Sequence, residues 1–266
     1  MIAFFAAMAV ATASSCPPVD GAAALFTEKT KYVWVGEVHG TAEEPALFGD
    51  LVCQAAATRP VVVALERDVA EQPLWNAYLA SDGGAAARAA FLQAPSWNWE
   101  VQDGRSSQAM LGLADRLRLA KRQGAIKDVK LILAGGASAA VYEQSMAQAV
   151  LAARDADPRT LVMAFSGNLH AKRGENVRQG ETYALAAKAM PVGETLLVVI
   201  RGGSGTAWNC RQECGENPRG GWSDQARRVD FTNPPEGFDA VAYTGRSSTA
   251  SPPAARPAKR TVLPGG

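Results

Sequence analysis

The chain has 266 residues, 47% of them hydrophobic and 20% charged, with a formal net charge of +1. Those proportions suit one large domain with a full apolar core. No dense Lys/Arg block interrupts the folded portion, which argues against a nucleic-acid-binding face.

The first fifteen residues, MIAFFAAMAVATASS, are apolar and then small, with Ala11-Thr12-Ala13 in the position of an A-x-A cleavage site. They resemble a secretory signal that lacks its basic start, and they are too short to span a membrane. Export to the periplasm or beyond is the expectation. Cys16 follows directly, and Ala13-Ser14-Ser15-Cys16 is a loose form of a bacterial lipoprotein box, so Cys16 is also a candidate lipid anchor. Four cysteines agree with export: Cys210 and Cys214 are placed to bridge locally, which leaves Cys16 and Cys53 as the second pair.

In chain order, apolar β-rich runs fall at Tyr32–Val35, Val61–Leu65, Val129–Ala134, Leu161–Phe165 and Thr195–Ile200, with Phe238–Tyr243 as a sixth. Continuous apolarity is what strands buried on both faces require. Helices are expected over Ala42–Ala57, Ser106–Gln123, Ala137–Ala153 and Thr182–Met190. Glu43 and Glu44 suit the first turn of one helix, and Gly124 closes another. The alternation predicts an α/β fold, a central mostly parallel sheet with helices on both faces. Val69–Gln102 is too long for a plain crossover and reads as a small helical insertion after the second strand. Its Trp75, Tyr78, Trp97 and Trp99 either form a satellite core or line a pocket. The expected layout is a signal segment over 1–15, one α/β domain over 16–245 and a disordered Pro/Ser-rich tail over 246–266.

Only two histidines occur, and each closes a four-residue pattern after an apolar strand: Gly36-Glu37-Val38-His39 and Gly167-Asn168-Leu169-His170. With 25 glycines in 266 residues, a glycine three before both is about a one-in-a-hundred coincidence. Histidine titrates near neutrality and serves as base, metal ligand or haem ligand. Ligands of open α/β sheets bind beyond the carboxyl ends of the strands. At those ends this chain gathers Glu37 and His39, then Glu66 and Arg67, then Asn168 and His170, then Arg201. Arg105, ahead of a helix whose cap is Ser106 or Ser107, can reach the same crevice as a carboxylate or anion ligand. Glu37 could equally cap the helix that follows it, and Glu66 could form a structural ion pair with Arg67 or Arg201. No G-x-S-x-G elbow, phosphate loop, dinucleotide fingerprint or H-E-x-x-H motif is present.

The blocks GEVHGTAEEP (Gly36–Pro45), LERD (Leu65–Asp68), DGRSSQAM (Asp103–Met110) and GNLHAKR (Gly167–Arg173) resemble the erythromycin esterase, ChaN and Tiki superfamily, over about residues 31–201. The resemblance implies one of three chemistries. Esterase-like members hydrolyse lactones with the histidine of the first block, here His39, and a carboxylate matching Glu66. Tiki-like members are metal-dependent proteases, with His39 and His170 as the metal positions. ChaN-like members bind haem for iron uptake, with His39, His170 or Tyr78 among the axial candidates.

Two functions are therefore weighed. One is an exported hydrolase of an ester, lactone or amide, with His39 as base, Glu66 and Glu37 in support and His170 second. Arg105, Arg201, Asn168 and Arg67 would bind its substrate. The other is a haem-binding protein without turnover; a divalent metal or haem is the cofactor to test. Because Asn168 stands where the first motif has Glu37, His39 is expected to dominate and His170 to be subordinate.

Overall fold

A computed structural model describes residues 16–221 and 225–255. The expected signal segment lies outside them. The first half of the chain forms β1 (Tyr32–Glu37), α1 (Glu43–Ala56), β2 (Val61–Asp68), α2 (Gln72–Ala80), α3 (Ala85–Phe91) and α4 (Gln108–Arg122). Next come β3 (Asp128–Leu133), α5 (Ala139–Ala152), β4 (Leu161–Gly167), β5 (Glu175–Arg178), β6 (Glu181–Ala184) and β7 (Thr195–Gly203). The remainder is β8 (Gly205–Cys210), β9 (Cys214–Arg219), β10 (Arg228–Asp230) and β11 (Ala240–Ser247).

The main sheet runs β10-β11-β7-β1-β4-β2-β3, parallel throughout except for β10 against β11. Strand alternation divides its apolar side chains into two cores. Val33, Val35, Val63, Leu65 and Phe165 pack with Leu47, Phe48 and Leu51 of α1 and with α4. Trp34, Val62, Ala64 and Ala164 face the other way, onto Met146, Ala147 and Val150 of α5. Helices thus cover both faces, which is why the strands could be apolar at consecutive positions.

The insertion forms α2 and α3 and splits the four aromatics. Trp75, Tyr78 and Trp97 gather around Phe91 with centroids 5.0, 4.0 and 5.3 Å from it, all essentially buried. Trp99 stays outside that cluster and lies beneath Arg105, whose guanidinium carbon is 4.7 Å from the ring centroid.

Three expectations need correction. The helix predicted over Thr182–Met190 is instead strand β6 followed by a single 3-10 turn at Ala186–Ala189. Gln179 and Gly180 both have positive φ, 53° and 82°, the geometry of a tight hairpin turn that brings Tyr183 opposite Asn176. The sixth strand begins two residues and ends four residues later than expected, over Ala240–Ser247. Of the expected disordered tail, Arg246 and Ser247 end this strand and residues 248–255 form an extended strap with Ser248 and Ser251 buried. Thr41 bridges to Ala250 and Ser107 to Pro253, so backbone pairing orders a composition that has little apolar surface to bury.

Both expected disulfides are present, Cys16–Cys53 and Cys210–Cys214. The sulfur of Cys16 is therefore committed to Cys53 and not available for a lipid thioether. No helix among the described residues is long and apolar enough to cross a membrane. Two disulfides suit an oxidising compartment.

Candidate active site

The carboxyl ends of β1, β2 and β4 lie side by side, and the site sits on them. Glu66 is its centre. As an even-numbered residue of β2 it shares the face of Val62 and Ala64, beneath α5. One oxygen, Oε2, accepts the Gly167 N–H at 2.7 Å and lies 3.9 Å from His39 Nε2. The other, Oε1, lies 3.8 Å from His170 Nε2 and 3.5 Å from an Arg105 guanidinium nitrogen.

Each imidazole is held from behind by a second carboxylate. His39 donates through Nδ1 to Glu37 at 2.7 Å, and His170 donates through Nδ1 to Glu143 at 2.8 Å. Both rings thus present Nε2 to the same buried carboxylate, a carboxylate–imidazole pair on each side of Glu66. Glu143 comes from α5, and its second oxygen accepts the Ala186 N–H at 2.9 Å. It was not among the residues singled out from the sequence. Its signal was there to find: Glu143 occupies the same helix stripe as Met146, Ala147 and Val150, a lone acid on an otherwise apolar face.

The recurring glycines now have a cause. β1 and β4 are adjacent and parallel, with Gly36 opposite Ser166 and Glu37 opposite Gly167. A Cβ on Gly36 would lie 2.8 Å from Asn168 Cα, and one on Gly167 would lie 3.1 Å from His39 Nε2. Each motif's glycine makes room for the other motif. Gly40 is constrained more tightly: its φ is +88°, and a Cβ there would meet the Trp208 carbonyl.

The electrostatics follow from this packing. Burial alone would raise the Glu66 pKa, but His39, His170, Arg105 and the Gly167 N–H together hold it below its ordinary value. Burial works against the charge on His39, yet Glu37, Glu66 and Asp103 push its pKa up to about 9. His170 is likewise raised against its burial by Glu143 and Glu66. In the resting site His39 therefore keeps its proton at neutral pH, and His170 is biased in the same direction. Arg105 is anchored by Asp103 at 2.8 Å.

The other expected binding residues divide. Asn168 joins through its backbone, donating its N–H to the Glu37 carbonyl at 2.8 Å. Arg67 does not reach the crevice. One position along from Glu66 it faces the opposite side of the sheet, fully buried 4.3 Å over the Trp97 ring, and it donates to Ser106 and to the Arg105 carbonyl. Arg201 lies on β7, where its charge neighbours are Glu44, Arg219 and Tyr243 rather than Glu66. Glu37 does not cap α1, whose N-cap is Ala42 without a side-chain cap bond; Glu44 in the first turn accepts the Val38 N–H at 2.8 Å, and Glu37 holds His39 instead. Ser107, not Ser106, caps α4.

Neither cofactor raised by the sequence fits this arrangement well. Among the described residues no group of three or more His, Cys, Asp or Glu is placed to hold a metal ion. Axial ligation of haem iron needs an imidazole with its Nε2 lone pair free, whereas both Nε2 atoms here are turned toward Glu66 and, against its burial, Glu37 and Glu66 favour the protonated form of His39.

No protein-family model matches the chain, and no curated protein matches it. Among solved structures the chain is similar to the type III effector HopBA1, with a TM-score of 0.53 and 14% identity over 90% of this chain and 100% of that one. At that identity the likeness shows a common fold. A structure described as bacterial protein toxins matches 65% of this chain and 35% of its own, at 16% identity and a TM-score of 0.44. A mutant erythromycin esterase, EreC, in its open conformation matches at 10% identity and a TM-score of 0.44, over 85% of this chain and 77% of that chain.

Proposed function

We propose that this chain is an exported hydrolase of an ester, lactone or amide, acting on a small molecule through the His39–Glu66–His170 site. The supporting observation is the convergence of two carboxylate-backed imidazoles on one buried carboxylate. Carboxylate-backed imidazole is the arrangement that moves protons to and from water and leaving groups.

In this reading the neutral form of His39 takes a proton from water, and Glu37 stabilises the imidazolium that forms. The water oxygen bonds to the substrate carbonyl carbon, and Arg105 faces the negative charge that develops on the carbonyl oxygen. His170, in its protonated form, gives its proton to the leaving oxygen or nitrogen as the bond from carbon breaks. Glu66 keeps both rings aimed at that point. Export is part of the proposal, since the two disulfides persist best in an oxidising compartment.

Assay of the purified protein against a panel of p-nitrophenyl esters, aryl lactones and anilides tests it. We expect turnover that His39→Ala removes while the circular-dichroism spectrum is kept. Turnover unchanged in that variant, or none by the native protein on any member of the panel, would overturn the proposal.

A further inference from the structure

A pocket of about 460 Å³ opens beside the catalytic cluster, between the start of α5 and the β5–β6 hairpin. Its walls include Ala137, Tyr142, Leu169, His170, Arg178 and Tyr183. That volume falls in the range of small-molecule sites. Three observations bear on what it holds. First, His170 forms part of its wall while lying 3.8 Å from Glu66, so whatever enters the pocket abuts the reacting centre. Secondly, the pocket offers apolar and aromatic surface: Leu169 is 42% exposed beside the catalytic histidine, and the Tyr142 ring stands 5.6 Å from the His170 ring. Thirdly, its cations are Arg178 and His170, with Glu143 behind His170 already occupied by Nδ1.

We infer that this pocket receives the acyl half of the substrate, and that the substrate is an ester or amide of a small aromatic or branched carboxylic acid. The inference rests on the hydrolase reading. Hydrolysis adds the water oxygen to the acyl carbon, and the bond to the leaving group breaks with its electron pair. The leaving group takes the proton of His170, and the acyl half departs as a carboxylate. Of the two products only the acid becomes an anion, so the half adjoining Arg178 and His170 is the acid half. Tyr142 lines the pocket and its hydroxyl is near enough to Glu66 and Arg105 to feel both charges, so it is the donor assigned to that carboxylate or the carbonyl from which it forms.

The probe is benzoate, followed through the imidazole Cε1–H proton resonances of untagged protein; two histidines give two signals. Benzoate should shift the His170 signal. Ala137→Trp, at an exposed loop position, should abolish the response by filling the pocket, and the exposed-site variant Arg178→Ala should weaken binding at least about fivefold. Tyr142→Phe should lower kcat about tenfold or more on p-nitrophenyl benzoate with KM little changed. Native protein should prefer p-nitrophenyl benzoate over p-nitrophenyl acetate by about tenfold in kcat/KM, a preference that Ala137→Trp removes. Equal turnover of both esters with no response to benzoate would overturn the acyl pocket and leave the hydrolase standing. Benzoate binding lost in Ala137→Trp, without turnover of any ester, lactone or anilide of the panel, would support the carboxylate pocket and overturn the hydrolase reading. Benzoate bound equally by native protein and Ala137→Trp would overturn the pocket assignment.

Discussion

At Glu66 a carboxylate lies buried between two imidazoles and a guanidinium, and burial by itself would neutralise it. It stays charged because the cations face it from three sides, and they stay charged because it faces them. Removing that charge should therefore be read in the histidines. Glu66→Gln should move the His39 midpoint down from about 9 toward 6.5 and lower that of His170 as well. Glu143→Gln should move His170 alone. Proton NMR of the two Cε1–H signals measures both, and a His39 midpoint that stays near 9 in Glu66→Gln would sink this account of the site. With His39 acting as the neutral base and His170 as the proton donor, kcat/KM should rise with pH as His39, held up at about 9, loses its proton and fall again as His170 loses its own, a bell-shaped profile. The same shift acts on stability. A raised histidine pKa stabilises the fold fully below about 6.5 and loses that contribution as pH climbs through about 9. Glu44, pushed up to about 7 chiefly by burial, adds a loss of the same sign as pH rises from its ordinary 4.5. The urea midpoint should accordingly fall between pH 6.5 and 9, less steeply in Glu37→Gln. His170, ranked second from the sequence, has in Glu143 the backing that Asn168 does not give. His39→Ala and His170→Ala should each reduce kcat/KM by about 10²- to 10⁴-fold on the same ester.

The elements show why some of this was legible in the sequence and some was not. Val61–Leu65 announced a strand buried on both faces, and the same two-residue alternation places Glu66 under α5 and Arg67 under Trp97. Chain proximity to Glu66 alone puts Arg67 at the crevice; the alternation turns it to the other face. The β5–β6 hairpin was missed because a Gln-Gly turn carries a weaker signal than Asn-Gly. The C-terminal strap was missed because its order comes from backbone pairing with distant loops. Ser251 donates its N–H to the Gly40 carbonyl at 2.9 Å, and its hydroxyl accepts the Ala109 N–H at 2.9 Å. It thereby ties the loop after His39 to the helix after Arg105. Ser251→Ala should cost about 1 kcal/mol of stability by leaving an amide without its acceptor, and should lower kcat severalfold without moving KM. Chemical denaturation and steady-state kinetics on one preparation check both. In the insertion, Trp97→Ala removes a fully buried ring and the face on which Arg67 rests, so a loss of about 3–5 kcal/mol is expected in urea unfolding.

For the molecule as a whole, the two disulfides act at different ranges. Cys16–Cys53 ties the first described residue to α1 across 37 positions, whereas Cys210–Cys214 closes only the tip of the β8–β9 hairpin. Loop entropy assigns about 4 kcal/mol to the first and about 2 to the second. Urea unfolding of the paired Cys→Ser variants should rank them in that order; equal losses would show that hairpin geometry outweighs chain entropy. The sequence by itself determined the α/β class, the strands, both disulfide pairs and four of the five groups that meet in the imidazole network: Glu37, His39, Glu66 and His170. Those follow from periodicity, cysteine parity and the rule that polar residues at strand ends face the crevice, all of which act over short stretches of chain. Only the tertiary structure decided that the partner of His170 is Glu143, that Arg67 and Arg201 stand apart, and that the two motif glycines make room for one another. Each of these depends on which strands are neighbours and which helix covers them, and that pairing is fixed by burial across the whole sheet rather than by any local pattern.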